Sequence, residues 1–429
     1  MLDIISALVV LAAIMILGFV GNFIFNRTQI PSIVWLLIFG LIIGIVFNVR
    51  NLDPTLLMSI SKFFAAVAIV IILFDGGINT DLYQLFKGAP RGLLLSVTAF
   101  SLSVLLTTLI VVLLSAAGIV DMPMENSVTT GLVLGAIVGG TSSPIVIPLA
   151  NRLQNLQERT KMVLSIESII TDPLCIVVVL AAVYMINFSG GLNIWVGVKN
   201  LASTFSVGAV TGFILGLLWL PVMYKMRREQ FSYILTLAVV FLVYSLTTLL
   251  VGVETGGEGA GAISCLIFGL VLGNGKKILK ILEYSGKKFE MDPETKHFHS
   301  LTSFVIRTFF FVYLGMMVGF QNIGFIFIGI AILMALLAAR YISILISTYH
   351  GGFEKDDRQT MIVMMPRGLA AALLALNFGP SLAKKLIPNM NSFFEDITFV
   401  IILGTAIICT AGVSMIVHYE NKKHSLNPE

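Results

Sequence analysis

Long apolar stretches separated by short polar loops run along almost the whole chain of 429 residues. A helix that crosses a bilayer needs about 20 mainly apolar residues. Thirteen stretches meet this requirement, near residues 3–25, 30–48, 59–78, 91–117, 127–151, 162–186, 197–224, 232–252, 258–273, 298–320, 323–348, 359–378 and 394–418. The first of them lacks a cleavage motif, so we expect a spanning helix there and not a signal peptide. The pattern predicts an all-α membrane protein with 13 transmembrane helices.

The composition supports this prediction. Hydrophobic residues make up 57% of the chain and charged residues only 12%, whereas a soluble domain has about 25% charged residues. A sizeable soluble domain is therefore not expected. The three cysteines lie far apart in apolar segments, which does not favour a disulfide framework or a metal site built from cysteines. The basic residues cluster in loops, so we expect no nucleic-acid partner, and no cofactor is expected.

The loop cations predict the orientation. With the N-terminus outside, 19 lysines and arginines lie in inner loops and five on the outer side. Cytoplasmic loops of membrane proteins carry such an excess. We therefore expect a multi-pass protein of the cell (plasma) membrane with its N-terminus outside and its C-terminus in the cytoplasm.

Glycine and proline interrupt two of the predicted helices. Span five contains the run GGTSSP at residues 139–144, and span twelve contains MPRG at residues 365–368. If span seven is a linker, these spans hold the fifth place in two six-helix halves, spans 1–6 and 8–13, that run in opposite directions. Interrupted helices in matching positions of inverted halves indicate a transporter's binding site. We therefore predict inverted six-helix repeats with discontinuous helices five and twelve; the alternative is that glycine and proline are simply common in membrane helices.

Span six carries two carboxylates, Glu167 and Asp172, in an otherwise apolar run. A charge in lipid is costly, so each must face protein, water or a partner. Five residues apart on one helix, they point about 140° from each other, which predicts separate roles and no shared proton. Ser168 lies on the face of Asp172, and Thr171 on the face of Glu167. Asp172 with Ser168 is a candidate site for a monovalent cation; a buried ion pair that only joins helices is the alternative for Asp172.

The interrupted part of span five offers further oxygen ligands. A hard cation prefers carboxylate, hydroxyl, carbonyl and water oxygens. Thr141, Ser142 and Ser143 supply hydroxyls and unwound carbonyls. Non-helical backbone at this depth is tolerated only where it lines a cavity or is buried in protein, so we expect these residues beside the candidate cation site.

Two arginines inside predicted helices complete the candidate chemistry. Arg340 stays charged under ordinary conditions and needs an anion, for which Glu167 is the candidate. That pairing would leave Asp172 as the group that titrates. Arg367, in the interruption of span twelve, is expected to neutralise carbonyl ends of the broken helix or to pair with another acid.

These residues form a familiar set of motifs. The run ESIITDP at residues 167–173 resembles the Glu-Ser-x-x-Asn-Asp-Pro signature of the NhaP-type sodium/proton antiporters, in the monovalent cation:proton antiporter superfamily. Residues 339–340 and 366–368 resemble the two arginine signatures of that family, and residues 73–77 (LFDGG) resemble its third-helix motif. The matches span most of the chain in the same order.

The sequence departs from the family pattern in two places. Thr171 stands where the family usually has asparagine, and residues 141–144 (TSSP) replace the usual Thr-Asp-Pro of the broken helix. The pair of serines is more similar to the potassium-efflux branch of the superfamily.

The resemblance implies a homodimer in which a core domain moves against a dimerisation domain. The predicted core helices are 91–186 and 323–418, and the predicted dimerisation helices are 1–78 and 197–320. It implies that Asp172 binds cation and proton in turn, aided by Ser168 and by main-chain oxygen near Ser142. The predicted roles are cation and proton binding for Asp172, Ser168, Ser142, Thr141 and Thr171, a structural ion pair for Glu167 and Arg340, and support of the broken helices for Arg367 and Ser143.

The expected function is exchange of a monovalent cation for H⁺, with a role in pH homeostasis. Na⁺ is the first expectation, and K⁺ or Li⁺ are alternatives; one titrating acid predicts an electroneutral 1:1 exchange. A cation channel is the second class, although the chain has no filter-like repeat. An intramembrane enzyme is the third, although a motif such as His-Glu-x-x-His is absent from the sequence. The expected partners are the cation, H⁺, the lipid bilayer and a second copy of the chain.

Overall fold

The computed structural model describes most of the chain, and the described residues are 12–21, 23–24, 32–46, 54–80, 82–153, 156–188, 194–226, 229, 232–252, 257–281, 293–317, 323–349, 351–390 and 392–426. Within these ranges the regular structure is helical and no strand occurs. Residues 3–11 of the first predicted span lie outside the described residues, as do several cations of the charge count, among them Arg27, Arg50, Arg227 and Arg228.

The described part of the chain forms a succession of helices. In chain order they are α1 (Ala12–Gly21), α2 (Ser32–Val46), α3 (Pro54–Ile78), α4 (Leu82–Ala116), α5 (Met124–Val138), α6 (Ser143–Arg152), α7 (Glu158–Phe188), α8 (Ile194–Met226), α9 (Ser232–Val251), α10 (Gly257–Gly273), α11 (Gly275–Ile281), α12 (Pro293–Met317), α13 (Ile323–Thr348), α14 (Lys355–Val363), α15 (Leu369–Leu386) and α16 (Phe393–Leu426). Each predicted span falls on one helix or on a consecutive pair, so the all-α fold class is confirmed.

Seven helical stretches in the described residues are long and apolar enough to cross a bilayer by themselves: Pro90–Ala116, Met124–Asn151, Glu158–Ile186, Ala202–Met226, Ser232–Val251, Ile323–Thr348 and Phe393–Ile416. Shorter apolar helices lie among them. The count of 13 transmembrane helices and the inverted arrangement of two halves therefore stay predictions.

The two predicted interruptions are present. Helix α5 ends at Val138 and α6 begins at Ser143, while α14 ends at Val363 and α15 begins at Leu369. Proline in the first turn of α6 costs no helical hydrogen bond, because the amide it lacks would have no partner there. Both discontinuous helices are therefore confirmed.

The chain divides into two compact units. The first contains residues 1–56, 88–175 and 307–429, and the second contains residues 57–87 and 176–306. This division is purely geometric and does not identify the helices that move or dimerise. The core and dimerisation domains expected above stay a prediction.

A cluster of buried apolar side chains holds the first unit together. It draws on α4, α6, α7, α13, α14 and α16, and its members include Leu95, Leu149, Leu164, Ile344, Met361 and Cys409. On the other face of α4, Leu105, Leu109 and Leu113 are exposed at a spacing of four residues. One stripe of α4 thus packs inward and another is available to lipid, as expected for a membrane helix.

In the second unit, α8 and α10 approach each other closely. A Cβ atom at Gly208 or Gly212 of α8 would overlap the main-chain oxygen of Ala260 or Ser264 of α10. Small residues at such spacing let membrane helices pack backbone against backbone. Gly208 and Gly212 are therefore explained by helix packing.

Candidate functional site

The candidate site residues all belong to the first unit. Helix α7 carries Glu167, Ser168, Thr171 and Asp172, while α13 carries Arg340. The remaining residues lie at the two helix interruptions, and they are Thr141, Ser142, Ser143 and Arg367. Except for Ser168, the structure connects them through the contacts described below.

The two interruptions are in direct contact. The amide of Ser142 donates a hydrogen bond of 2.8 Å to the main-chain oxygen of Pro366. Gly368 lies against the Ser142 side chain so closely that a Cβ atom there would overlap its Oγ and Cβ. One backbone amide and one backbone oxygen of the two unwound segments thus satisfy each other. Such pairing allows non-helical backbone to persist at membrane depth.

Asp172 faces the first residue of α6. Its Oδ2 accepts hydrogen bonds from the Ser143 amide at 3.1 Å and the Ser143 hydroxyl at 2.8 Å. A carboxylate at a helix N-terminus is stabilised by the helix dipole and by amides that lack helical partners. The side chain is only half-buried, and Oδ1 accepts no hydrogen bond from the described residues. Asp172 therefore has one oxygen fixed by α6 and one available for another ligand.

Thr141 joins the interruption to α7. Its amide donates to Thr171 Oγ1 at 3.1 Å, and its hydroxyl lies 3.1 Å from Glu167 Oε1 and 3.2 Å from Thr171 Oγ1. All three side chains are buried. Thr171 thus satisfies a backbone amide of the unwound segment from the position where the family usually has asparagine.

Arg340 and Glu167 form a buried ion pair. Arg340 Nη1 donates to Glu167 Oε1, while Nε and Nη2 donate to the main-chain oxygens of Met361 and Met364, each at 2.9 Å. Arg340 is 2% exposed and Glu167 is 1% exposed. The geometry matches the predicted pair and adds a second role for Arg340, because its other donors bind the carbonyl end of α14.

Arg367 binds the carbonyl end of the other broken helix. Its Nη1 donates to the oxygen of Gly139 at 2.8 Å, and its Nη2 lies 3.4 Å from Ser103 Oγ. Its amide donates to Thr405 Oγ1 at 3.0 Å. Of the two alternatives predicted for Arg367, the described contacts match neutralisation of a carbonyl end and include no salt bridge to an acid.

At three ends of the broken helices, a charged side chain lies beside the helix end, and its charge is opposite in sign to the partial charge of that end. Arg367 lies at the C-terminus of α5, Arg340 at the C-terminus of α14, and Asp172 at the N-terminus of α6. Helix ends carry partial charges of about half a unit, negative at the C-terminus and positive at the N-terminus. The interruptions are therefore electrostatically compensated by residues of this unit.

The other predicted ligands, Ser168 and Ser142, do not hydrogen-bond to Asp172. The buried Ser168 hydroxyl donates to the main-chain oxygen of Ser165 at 3.1 Å. The Ser142 hydroxyl makes no hydrogen bond with the described residues, although it packs on Gly368. Ser143, predicted as an oxygen donor of the unwound segment and as a support of the broken helix, is the residue that contacts the Asp172 carboxylate.

Two residues that contact the site were not among the predicted site residues. Ser103 and Thr405 lie in apolar spans, and both contact Arg367. Hydroxyls in membrane helices commonly bind the carbonyl four residues back, as Thr405 also does with Ile401. The available signal was therefore weak: an isolated hydroxyl in an apolar helix has no distinguishing neighbours in the sequence.

The close contact at Gly368 leads to a stability prediction. Gly368→Ala should destabilise the protein by about 1–3 kcal/mol, the usual cost of overpacking, because the new Cβ overlaps Ser142. Thermal unfolding in detergent measures the change. Adding Ser142→Gly to the variant should recover part of the loss, and Gly76→Ala, whose Cβ would enter open space, is the control. Equal stability of Gly368→Ala and wild type would contradict the close crossing.

Comparison with known proteins identifies the family. The family described as "Sodium/hydrogen exchanger, transmembrane" matches residues 9–418. The chain belongs to this family. Together with the apolar helices of the structure, this membership makes it a multi-pass membrane protein.

Named relatives include exchangers of two cations. The chain is 26% identical to a probable Na⁺/H⁺ antiporter 2 of Methanocaldococcus jannaschii, over 82% of this chain and 79% of that protein. It is 24% identical to the K⁺/H⁺ antiporter NhaP of Alkalimonas amylolytica, over 96% of this chain but only 66% of that protein. Na⁺/H⁺ antiporter 1 of M. jannaschii is 24% identical, over 95% and 92% of the two chains.

A solved structure has the same fold. The sodium proton antiporter MjNhaP1 of M. jannaschii at pH 8 aligns with a TM-score of 0.77 and 20% sequence identity, covering 96% of this chain and 98% of that one. The match supports the arrangement of helices, and the resemblance to NhaP-type antiporters noted in the motifs is confirmed by the family and the relatives.

Proposed function

We propose that the protein exchanges a monovalent cation for H⁺ across the cell membrane, with Asp172 as the site that both ligands share. The observation that carries the proposal is the half-buried carboxylate at the crossing of two interrupted helices, with Oδ2 held by Ser143 and Oδ1 not hydrogen-bonded by the described residues. Broken helices of this kind build ion sites in secondary transporters.

Competition at one carboxylate couples the two fluxes. Either a proton or a partly dehydrated cation neutralises Asp172, and the neutral site can then change the side to which it opens. The bare carboxylate should not make that change, because an unpaired charge in an apolar environment is costly. Neither ion can therefore leak without the other.

The surrounding residues would supply the remaining ligands. Ser168 donates its only proton to Ser165, so its oxygen retains lone pairs for a cation. Main-chain oxygens near Ser142 and water would complete an oxygen shell. Thr141 and Thr171 would hold the unwound segment in place through their mutual contacts.

Glu167 would act as the structural partner of Arg340 throughout the cycle. Its carboxylate is paired with Arg340 and accepts a further contact from Thr141. The role proposed for Glu167 is therefore structural, which leaves Asp172 as the site of exchange. A single titrating acid predicts a 1:1 stoichiometry.

The cation is proposed to be Na⁺, with K⁺ as the second candidate. Relatives named for each of these cations match the chain at similar identity, and the carboxylate and hydroxyl oxygens of the site suit either. We further propose a homodimer in which a core domain moves against a dimerisation domain, with the N-terminus outside and the C-terminus in the cytoplasm. The charge distribution of the loops and the family resemblance support these proposals.

Reconstituted vesicles test the proposed exchange. A pH gradient across proteoliposomes should dissipate when NaCl is added, and parallel additions of KCl, LiCl and choline chloride identify the cation. Protein-free vesicles are the control. Cation flux that proceeds without opposing proton movement would favour a channel and contradict the proposal.

The stoichiometry makes a separate prediction. A 1:1 exchange moves no net charge, so its initial rate should be the same at inside-negative, zero and inside-positive membrane potentials. The potential is imposed in proteoliposomes while the pH gradient is kept constant. A rate that scales with potential would show that the exchange is electrogenic and that a second group carries charge.

A further inference from the structure

A buried carboxylate of α14 lies beside the beginning of α7. Asp357, in the first turn of α14, is 4% exposed. Its Oδ1 accepts a hydrogen bond of 3.3 Å from the main-chain amide of Gln157, the residue immediately before α7. Its Oδ2 is buried and has no hydrogen-bond partner among the described residues. Asp357 thus joins the beginning of α7, which carries Asp172, to the beginning of α14, which ends at the interruption that contains Arg367.

The contact has the geometry of a helix cap supplied by another helix. The main-chain oxygen of Gln157 accepts the first hydrogen bonds of α7, from Thr160 and Lys161, so Gln157 is the N-cap residue. In a capping box the third residue of the helix supplies a carboxylate to the N-cap amide. Here that residue is Thr160, which has no carboxylate, and Asp357 makes the contact in its place. The Gln157 side chain adds a bond of 3.0 Å to Glu354.

The same two helices are joined again near the candidate site. Arg340 bridges Glu167 of α7 to the main-chain oxygens of Met361 and Met364 at the end of α14. Helices α7 and α14 are thus connected at two levels, by Asp357 at their first residues and by Arg340 beside the candidate site. Loosening the first connection therefore changes how firmly α7, with Asp172, is held against α14.

We propose that Asp357 is a positioning residue for the cation site, and that its protonation from the cytoplasmic side loosens the beginning of α7 and weakens cation binding at Asp172. This inference rests on the proposed function for its effect on transport, but the structural part does not. The ionised carboxylate forms a charge-assisted bond at the helix N-terminus, where negative charge is favourable. The protonated carboxyl of Asp357 carries no charge and loses this favourable interaction with the helix N-terminus.

The environment of Asp357 determines the direction of the pH effect. Burial raises the pKa of Asp357 above that of an exposed aspartate. The Gln157 amide, the Thr160 side chain and the main chain of Glu354 oppose this shift, and the charge of Glu354 adds a smaller effect in the raising direction. Acidification of the cytoplasm therefore neutralises Asp357 before it neutralises exposed aspartates. The interior pH at which cation affinity begins to fall is raised accordingly.

Other charged side chains lie on α14 itself and on the adjoining helices α7 and α13. On α7, Lys161 pairs with Glu158 at 2.7 Å, and Arg159 donates to the main-chain oxygen of Gly351. On α13 the nearest charge described is Arg340, at the opposite end of α14. The charged residues within α14 itself are Lys355, Asp356 and Arg358.

The experiment compares Asp357→Asn with wild type as the interior pH of proteoliposomes is varied. Asparagine mimics the protonated carboxyl, so the two proteins should have the same KM for the cation at acidic interior pH. At alkaline interior pH the variant should have a KM about tenfold higher, the value expected from one charge-assisted hydrogen bond, with its maximal rate retained. Asp356→Asn removes the same charge one residue away and should follow wild type.

Two results would overturn the proposal. A KM in Asp357→Asn that equals wild type at every pH excludes a role, and a constant ratio at every pH indicates a structural contact that does not titrate. Hydrogen exchange of the amides of residues 157–161 provides a readout independent of transport. After correction for the intrinsic rate, wild type should lose protection as pH falls and Asp357→Asn should be poorly protected throughout. Unchanged protection in the variant would refute the cap even if the protein proved not to be an exchanger.

Discussion

Asp172→Asn is expected to reduce cation-dependent proton movement to the level of protein-free vesicles. Asparagine has nearly the same shape and can still contact Ser143, which donates to Asp172 Oδ2 in the wild type. It carries no charge and cannot exchange a proton near neutral pH. The variant should therefore fold normally, but it should not couple the flux of the cation to the flux of protons. The initial rate of pH-gradient dissipation in proteoliposomes measures the loss.

A matched control separates the site from a general effect of removing a carboxylate. Glu258→Gln neutralises an exposed acid at the beginning of α10, in another apolar helix, and should keep most of the activity. Both variants should unfold within a few degrees of wild type. Substantial exchange by Asp172→Asn would remove Asp172 from the mechanism.

Arg340→Met is expected to be the most destabilising single change. It leaves Glu167 as a buried charge without its partner, and such a loss costs about 3–5 kcal/mol. It also leaves the oxygens of Met361 and Met364 without donors. Thermal unfolding in detergent should show a large decrease in stability, and transport should be lost with it.

The double variant Glu167→Gln with Arg340→Met tests the reason for that loss. Removing both charges avoids the unpaired carboxylate, so the double variant should be more stable than Arg340→Met, and the two effects should not add. Arg91→Met is the control, because within the described part of the chain Arg91 donates to main-chain oxygens, those of Ser347 and Tyr349, and to no carboxylate. Additive effects of the two substitutions would show that the pair contributes no coupling energy.

Much of the site could be predicted from the sequence because its chemistry has few solutions. Glycine and proline within an apolar span predict a break, and the structure has breaks after Val138 and Val363. A permanently charged Arg340 within an apolar segment requires an anion, and Glu167 was the acid available. These predictions depend on the cost of unsatisfied groups in lipid, which is independent of the details of the fold.

The remaining contacts depend on the path of unwound backbone, which no periodicity describes. Three hydroxyls follow one another at residues 141–143, and only the three-dimensional path decides that Ser143 meets Asp172 while Thr141 meets Glu167. The contact of Asp357 with Gln157 joins positions 200 residues apart in the chain. In the sequence, Asp357 resembles any acid of a polar loop, so its burial could not be anticipated.

The hydrogen bond between Ser142 and Pro366, with Gly368 pressed against the same serine, has a mechanical consequence. A shift or tilt of either discontinuous helix at its interruption should displace the other helix as well. In the exchange proposed above, the two interruptions should therefore move together, and the contacts between them should be kept in both states.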